Sequence, residues 1–204
     1  MRDRLRAGAA IYNAGYYHAA HDAWEAHWLD LEDGTDDERL LHGLIQFTAA
    51  VHHAHERNWE GAVGLSGSAH DYLDGLPATY RDVWLVPVRS FLEALAADPE
   101  LLERRRPVRL THEDEVPTLA ALGVEPTAIA ASVLAEEFEF ETEPVERARA
   151  YARRDLAAGA DDSLFVTLLF DFVREEDHRG IVHRRLTEHV GRREDRESDV
   201  EGLF

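Results

Sequence analysis

The chain has 204 residues and a formal net charge of −19, because 41 acidic residues outnumber 22 basic residues, all of them arginine. It contains no cysteine, which excludes disulfides, thiolate metal sites, iron–sulfur clusters and cysteine nucleophiles. No apolar run approaches the roughly 18 residues of a membrane span, and the N-terminal stretch lacks the apolar core of a signal peptide. We therefore expect a cytoplasmic protein without a membrane partner.

The acidic surplus has two explanations, a basic partner or a protein adapted to a high-salt cytoplasm. The absence of lysine and the abundance of alanine favour the second, a halophilic protein. In molar salt the Debye length falls to about 3 Å, so surface charge then says little about partners. The one arginine cluster, residues 104–106 with Arg109, adjoins an acidic stretch. A basic patch of the kind that binds nucleic acid is therefore not expected.

The first hundred residues predict paired helices, because apolar residues recur at helical spacing. The sequence DGTDD, residues 33–37, predicts a turn followed by an acidic helix N-terminus, and Asn58 is a candidate cap for the next helix. Pro87 suits the first turn of a fifth helix. We predict helices over residues 5–16, 17–28, 38–57, 59–73 and 87–97.

After residue 98 the pattern changes, because prolines at 107, 117 and 126 interrupt it. We interpret residues 99–143 as a proline-punctuated connection with a short helix near 127–137, and VRLTH and FEFE as candidate strands. Residues 144–193 predict further helices and residues 194–204 a charged tail. The predicted fold is all-α: an N-terminal bundle of helix-turn-helix pairs, residues 1–98, with a smaller helical C-terminal extension.

Eight of the 12 histidines precede residue 71, which makes this region the first place to look for chemistry. His21 and Glu25 lie one helical turn apart, so both side chains can reach one metal ion or each other. Two further polar residues, Gln46 and His53, share one line of the third helix with the small residue Gly43. If the two helices pack together, the polar residues converge into one cluster: His21, Glu25, Gln46 and His53.

Three hypotheses fit this cluster. It is a hydrogen-bonded network that fixes helix register, a small-ligand or catalytic pocket, or a metal site formed by His21, Glu25 and His53. The groove beside it is predicted to contain four further residues: Trp24, Trp28, Gly43 and Asn58. We expect the remaining N-terminal histidines to lie outside it without a functional role: His18, His27, His42, His52, His55 and His70.

Three segments carry a resemblance to a known family: HDAWEAHW (residues 21–28), HGLIQFTAAVHHAHERNWEGAVGL (42–65) and DVWLVPVRSFLEAL (82–95). Together they resemble the domain of unknown function family 309 (DUF309), over roughly residues 10–97. The resemblance implies a compact helical bundle and no established activity. The family pattern includes the same four polar positions, His21, Glu25, Gln46 and His53.

The leading functional hypothesis is a non-enzymatic binding or interaction module for a protein or small-molecule partner. The alternative is a metal-dependent, hydrolase-like enzyme in which His21, Glu25 and His53 bind a divalent ion and Gln46 orients the substrate. A divalent metal cofactor is possible but is the less favoured of these two hypotheses. A homo-oligomer is compatible with the sequence.

Overall fold

The computed structural model describes residues 1–160 and 162–201. These residues form nine α-helices and one two-stranded antiparallel sheet, which confirms the predicted all-α fold. The chain divides into two compact units, Met1–Leu122 and the residues from Gly123 onward. Among the described residues, no helix combines the length and apolar character needed to cross a membrane.

The first unit is a helical bundle in which consecutive helices pack against each other. Its elements are α1 (Arg2–Asn13), α2 (Tyr17–Trp28), α3 (Asp36–His55), α4 (Trp59–Leu73), β1 (Thr79–Tyr80), β2 (Val83–Trp84) and α5 (Val86–Ala97). The predicted caps are confirmed. Thr35 Oγ1 accepts the Glu38 N–H at the start of α3, and the Asn58 side chain accepts the Gly61 N–H at the start of α4.

Helices α1 and α2 approach closely at one glycine. A Cβ atom on Gly8 would lie only 2.2 Å from the indole of Trp24. That indole is completely buried, and its Nε1 donates a 2.8 Å hydrogen bond to the Arg4 carbonyl. The small residue is therefore what allows a tryptophan to fill the space between these helices.

The segment after α5, up to Leu122, belongs to the first unit. Asn13 on α1 donates to the carbonyls of Leu110 and Pro117 at 2.9 and 3.1 Å, and its Oδ1 accepts the Leu110 N–H at 2.9 Å. Tyr12 donates to the Val108 carbonyl at 2.9 Å. The division at residue 122 falls inside the stretch 99–143 that was predicted as a connection.

The second unit contains four helices: α6 (Val124–Glu137), α7 (Thr142–Ala157), α8 (Leu164–Arg174) and α9 (Arg179–Glu201). The helix predicted near 127–137 is α6. The segment predicted as a charged tail is helical up to Glu201, and residues 202–204 lie outside the described residues. Near the start of this segment, Arg193 pairs with Glu197 at 3.0 Å. Neither VRLTH nor FEFE forms a strand in the described structure, although His112 makes isolated bridges with Val83 and Glu115.

Candidate functional site

Three of the four polar residues predicted to converge have separate hydrogen-bond partners. His21 Nε2 lies 2.7 Å from Asp22 Oδ1. Gln46 Nε2 lies 2.9 Å from His42 Nε2, and His53 Nδ1 lies 2.8 Å from the Asn58 amide. His21, Gln46 and His53 therefore fall into three separate groups, because each of these side chains has a hydrogen-bond partner nearby in sequence.

The first group differs from the predicted metal set in one member. Among the described residues, only His21, Asp22 and Glu25 bring at least three potential ligand atoms within 4.8 Å of one another. Asp22 thus takes the place predicted for His53. The hydrogen bond to Asp22 raises the pKa of His21, and the charges of Asp22 and Glu25 raise it further against the opposing effect of burial.

His21 and His53 are nevertheless connected by a row of histidine rings. The centroid distances are 4.9 Å from His21 to His18, 5.3 Å from His18 to His52, and 6.0 Å from His52 to His53. His18 and His52 were expected to lie outside the cluster, yet their rings occupy the space between its predicted members.

A pocket of about 520 Å³ is lined by His42, the hydrogen-bond partner of Gln46. Three aromatic rings are in contact along it: His42 is stacked on Tyr72 and tilted by 48° against Trp28. The His42 ring lies 4.5 Å from Trp28 and 3.9 Å from Tyr72, between centroids. We call this cavity the aromatic pocket, and eight residues line it: Trp28, Asp33, Gly34, Glu38, Arg39, His42, Asp71 and Tyr72.

A chain of hydrogen bonds holds His42 in place. Its Nδ1 lies 3.1 Å from Glu38 Oε1, which also accepts the Trp28 Nε1–H at 2.9 Å. The other ring nitrogen, Nε2, lies 2.9 Å from the Gln46 amide nitrogen, so both ring nitrogens of His42 are engaged. The Gln46 Oε1 atom is buried and has no hydrogen-bond partner among the described residues.

Glu38 is a buried carboxylate, 7 % exposed. Burial raises its pKa, but hydrogen bonds from Trp28, His42 and the Gly34 backbone lower it by more, so the net shift is downward. Glu38 is therefore ionised at neutral pH. Because donors already occupy it, it is poorly suited to act as a general base.

The outer part of the aromatic pocket is acidic. Asp33 and Asp71 are exposed carboxylates in its lining. Arg39, the one arginine in the described lining, donates to the Asp74 carbonyl and lies 3.8 Å from Asp36. The pocket thus presents aromatic faces and a surplus of negative charge.

The residues predicted to line the groove lie in different parts of the first unit. Trp28 lines the aromatic pocket. Trp24 does not, because it is buried against Gly8. Gly43 packs beneath Leu73, and Asn58 caps α4. These two have structural roles.

Sequence reasoning missed the centre of the aromatic pocket. His42 was expected to have no functional role, and neither Glu38 nor Tyr72 was predicted as a site residue. A signal was present, because Glu38, His42 and Gln46 recur at intervals of four residues and so share one face of a helix. Tyr72 comes from the next helix and has no comparable signal.

One comparison with known proteins bears on this region. Residues 5–65 match the family described as Domain of unknown function (DUF309). The match covers the N-terminal part of the chain, from α1 into α4, and confirms the predicted resemblance there. It includes His21, Glu38 and His42 but ends before Tyr72, and the family's description names no activity.

Proposed function

We propose that the first unit is a non-enzymatic binding module and that its ligand is a small organic cation held in the aromatic pocket. The observation that carries this proposal is the His42 ring, which is engaged at both nitrogens, stacked on Tyr72 and in tilted contact with Trp28. Rings held in this way form a wall that needs no rearrangement to receive a ligand. The volume of about 520 Å³ lies within the range usual for small-molecule sites.

The charge of the lining supports a cation as the ligand. Asp33, Glu38 and Asp71 contribute carboxylates, whereas the guanidinium of Arg39 is already engaged with the Asp74 carbonyl. Indole and phenol faces attract cations through their quadrupoles, by about 0.5–2 kcal/mol. Binding without chemistry is favoured because Glu38 and His42, the candidate acid and base, are both committed to structural hydrogen bonds.

The test is calorimetric titration with choline and with its neutral isostere, 3,3-dimethyl-1-butanol. We expect choline to bind about tenfold more tightly, because only choline carries the charge. The variant Tyr72→Leu removes one wall of the pocket and should weaken choline binding. Trp84→Leu is the matched control, because Trp84 is an aromatic residue 50 % exposed and outside the pocket lining.

Two results would refute this proposal. One is no saturable binding of choline or of a panel of primary amines by the folded protein. The other is equal binding of choline and the isostere, which would remove the argument from charge. Loss of binding in Trp84→Leu to the same degree as in Tyr72→Leu would show that the measured site lies elsewhere.

The second candidate function is metal-dependent hydrolysis, supported by the group of His21, Asp22 and Glu25. A raised pKa of His21 opposes it, because protons compete with metal for the imidazole. The measurement is bound metal by mass spectrometry on protein purified without an affinity tag. Near-stoichiometric metal that is lost in His21→Ala and Asp22→Asn but kept in His53→Ala would support a site at this group. Metal-free protein after soaking would exclude it.

A further inference from the structure

A second pocket of about 900 Å³ lies elsewhere in the first unit. Three parts of the fold form it: the α1–α2 junction, the end of α3 at His55, and residues 102–109. It shares no lining residue with the aromatic pocket, so a ligand bound here would be independent of the organic cation proposed for that pocket.

Positive charge is concentrated in this pocket. Four of the chain's 22 arginines line it, within a stretch of six residues: Arg104, Arg105, Arg106 and Arg109. The lining contains one carboxylate, Glu103, which pairs with Arg57 at 3.1 Å. In a protein of net charge −19, such a concentration is the opposite of the general surface. We call this cavity the arginine pocket.

These arginines differ in their contacts. Arg104 pairs with Asp98, and the Arg105 guanidinium lies 5.5 Å from the centre of the Phe91 ring. Within the part of the chain that the structure describes, Arg106 and Arg109 make no hydrogen bond or ion pair, and both are exposed. Two guanidinium groups are thus available to an anion, for which their fork of donors is well suited.

A stacked pair of rings forms another wall of the arginine pocket. Tyr17 and His55 lie 4.9 Å apart with an angle of 15° between their planes. Burial raises the pKa of Tyr17, and the charge of Arg106 opposes that rise. His55 is exposed, so its ring offers a flat surface to a planar group.

The pocket is fixed before any ligand arrives. The hydrogen bonds of Tyr12 and Asn13 to Val108 and Leu110 tie the arginine segment to the end of α1. The lining also includes Gly15 and Tyr17 at the start of α2, a 12-residue helix without a side-chain cap at its N-terminus. The positive end of that helix dipole adds to the charge of the arginines.

We infer that the arginine pocket binds a small phosphate ester that carries a planar ring, with its phosphates at Arg106 and Arg109 and its ring stacked on His55. The two free guanidinium groups account for the phosphates, and the Tyr17–His55 pair accounts for the ring. An extended nucleic acid is disfavoured, because a polyanion would also face the surrounding acidic surface. A small ligand meets only the pocket.

The test uses two probes, inorganic pyrophosphate and adenosine diphosphate, titrated calorimetrically into the full chain. EDTA is present so that no metal bridges ligand and protein. The salt is the lowest at which circular dichroism shows the folded state, because phosphate contacts weaken as salt rises. We expect one site per chain, with adenosine diphosphate binding about tenfold more tightly than pyrophosphate because of its stacked base.

Two variants separate charge from stacking. The double variant Arg106→Gln, Arg109→Gln should weaken both probes by at least about tenfold, since each lost guanidinium removes a charge-assisted hydrogen bond. His55→Ala should reduce adenosine diphosphate to the affinity of pyrophosphate and leave pyrophosphate unchanged. The matched control, Arg184→Gln with Arg185→Gln, removes two exposed charges from α9 and should bind both probes like the unmodified chain.

The outcomes that overturn the inference are distinct. Without saturable binding of either probe, the arginine pocket is not an anion site. Equal weakening in the control double variant assigns the effect to net charge. Equal affinity for the two probes, together with no effect of His55→Ala, removes the planar ring from the ligand class. A single-stranded oligonucleotide that binds more tightly than adenosine diphosphate makes the pocket part of a nucleic-acid surface.

Discussion

The contact between Gly8 and Trp24 allows a prediction in which two opposing effects are weighed. The change is Gly8→Ala in α1, compared with Gly64→Ala in α4. Both glycines lie inside helices, where alanine is favoured over glycine by about 1 kcal/mol. A methyl group on Gly64 would meet no atom within 4 Å, whereas one on Gly8 would lie 2.2 Å from the Trp24 ring.

The packing effect outweighs helix propensity at Gly8. Carbon atoms in contact lie about 3.5 Å apart or more, so the indole must move by about 1.3 Å. Overpacking of this kind costs roughly 1–3 kcal/mol. Displacing the indole also breaks its bond to the Arg4 carbonyl, which is worth about 1 kcal/mol. We expect Gly8→Ala to lower the free energy of unfolding by roughly 1–3 kcal/mol and Gly64→Ala to raise it by about 0.5–1 kcal/mol.

The assay is urea unfolding followed by tryptophan emission. All four tryptophans lie in the first unit, so the emission follows the unit in which both substitutions are made. Circular dichroism of the native states checks that both variants fold. If Gly8→Ala raised the free energy of unfolding as Gly64→Ala does, the close approach of α1 and α2 at this position would be refuted.

Three further predictions concern the same unit. Burial lowers the pKa of His112, so the unfolded chain takes up a proton on this histidine at a higher pH than the folded chain, and stability is lost as pH falls below about 6.5. His112→Leu should therefore reduce the difference in urea midpoint between pH 7.5 and pH 5.5. An unchanged difference would contradict this prediction. Asn58→Ala removes the cap of α4 and should cost about 1 kcal/mol, against little change for the exposed Glu60→Ala. Glu38→Gln removes the charged acceptor of the Trp28 and His42 hydrogen bonds and should cost about 1.5–3 kcal/mol in the same assay at pH 7, whereas a loss below about 0.5 kcal/mol would show that the charge is dispensable.

The helices of the first unit were predictable because their signals are local. The cap at Asn58 and the acidic first turn of α3 can be recognised within a few residues of sequence. The candidate site was predicted only in part, because it depends on how helices are rotated against each other. Gln46 was expected to meet residues of α2, but His42, one turn away on its own helix, satisfies its amide first.

The aromatic pocket also depends on helix packing that the sequence does not reveal. Trp24 and Trp28 are equivalent in the sequence pattern, one turn apart on α2. Only a glycine on a different helix decides that Trp24 is buried, while Trp28 remains beside His42. A single sequence does not encode such a choice in any local signal, so Tyr72 and the pocket that it completes could not be predicted.

The attachment of α1 to the segment around Leu110 has a consequence for biosynthesis. Chains emerge from the ribosome N-terminus first and fold domain by domain. Here the partners of Asn13 are 97 and 104 residues downstream, so α1 cannot make these contacts until Pro117 has been translated and has left the exit tunnel. During that interval, Asn13 at the end of α1 lacks these hydrogen-bond partners and the bundle is incomplete. Contacts so distant in sequence slow the final step of folding, and this unit will therefore complete its fold late in translation despite its helical architecture.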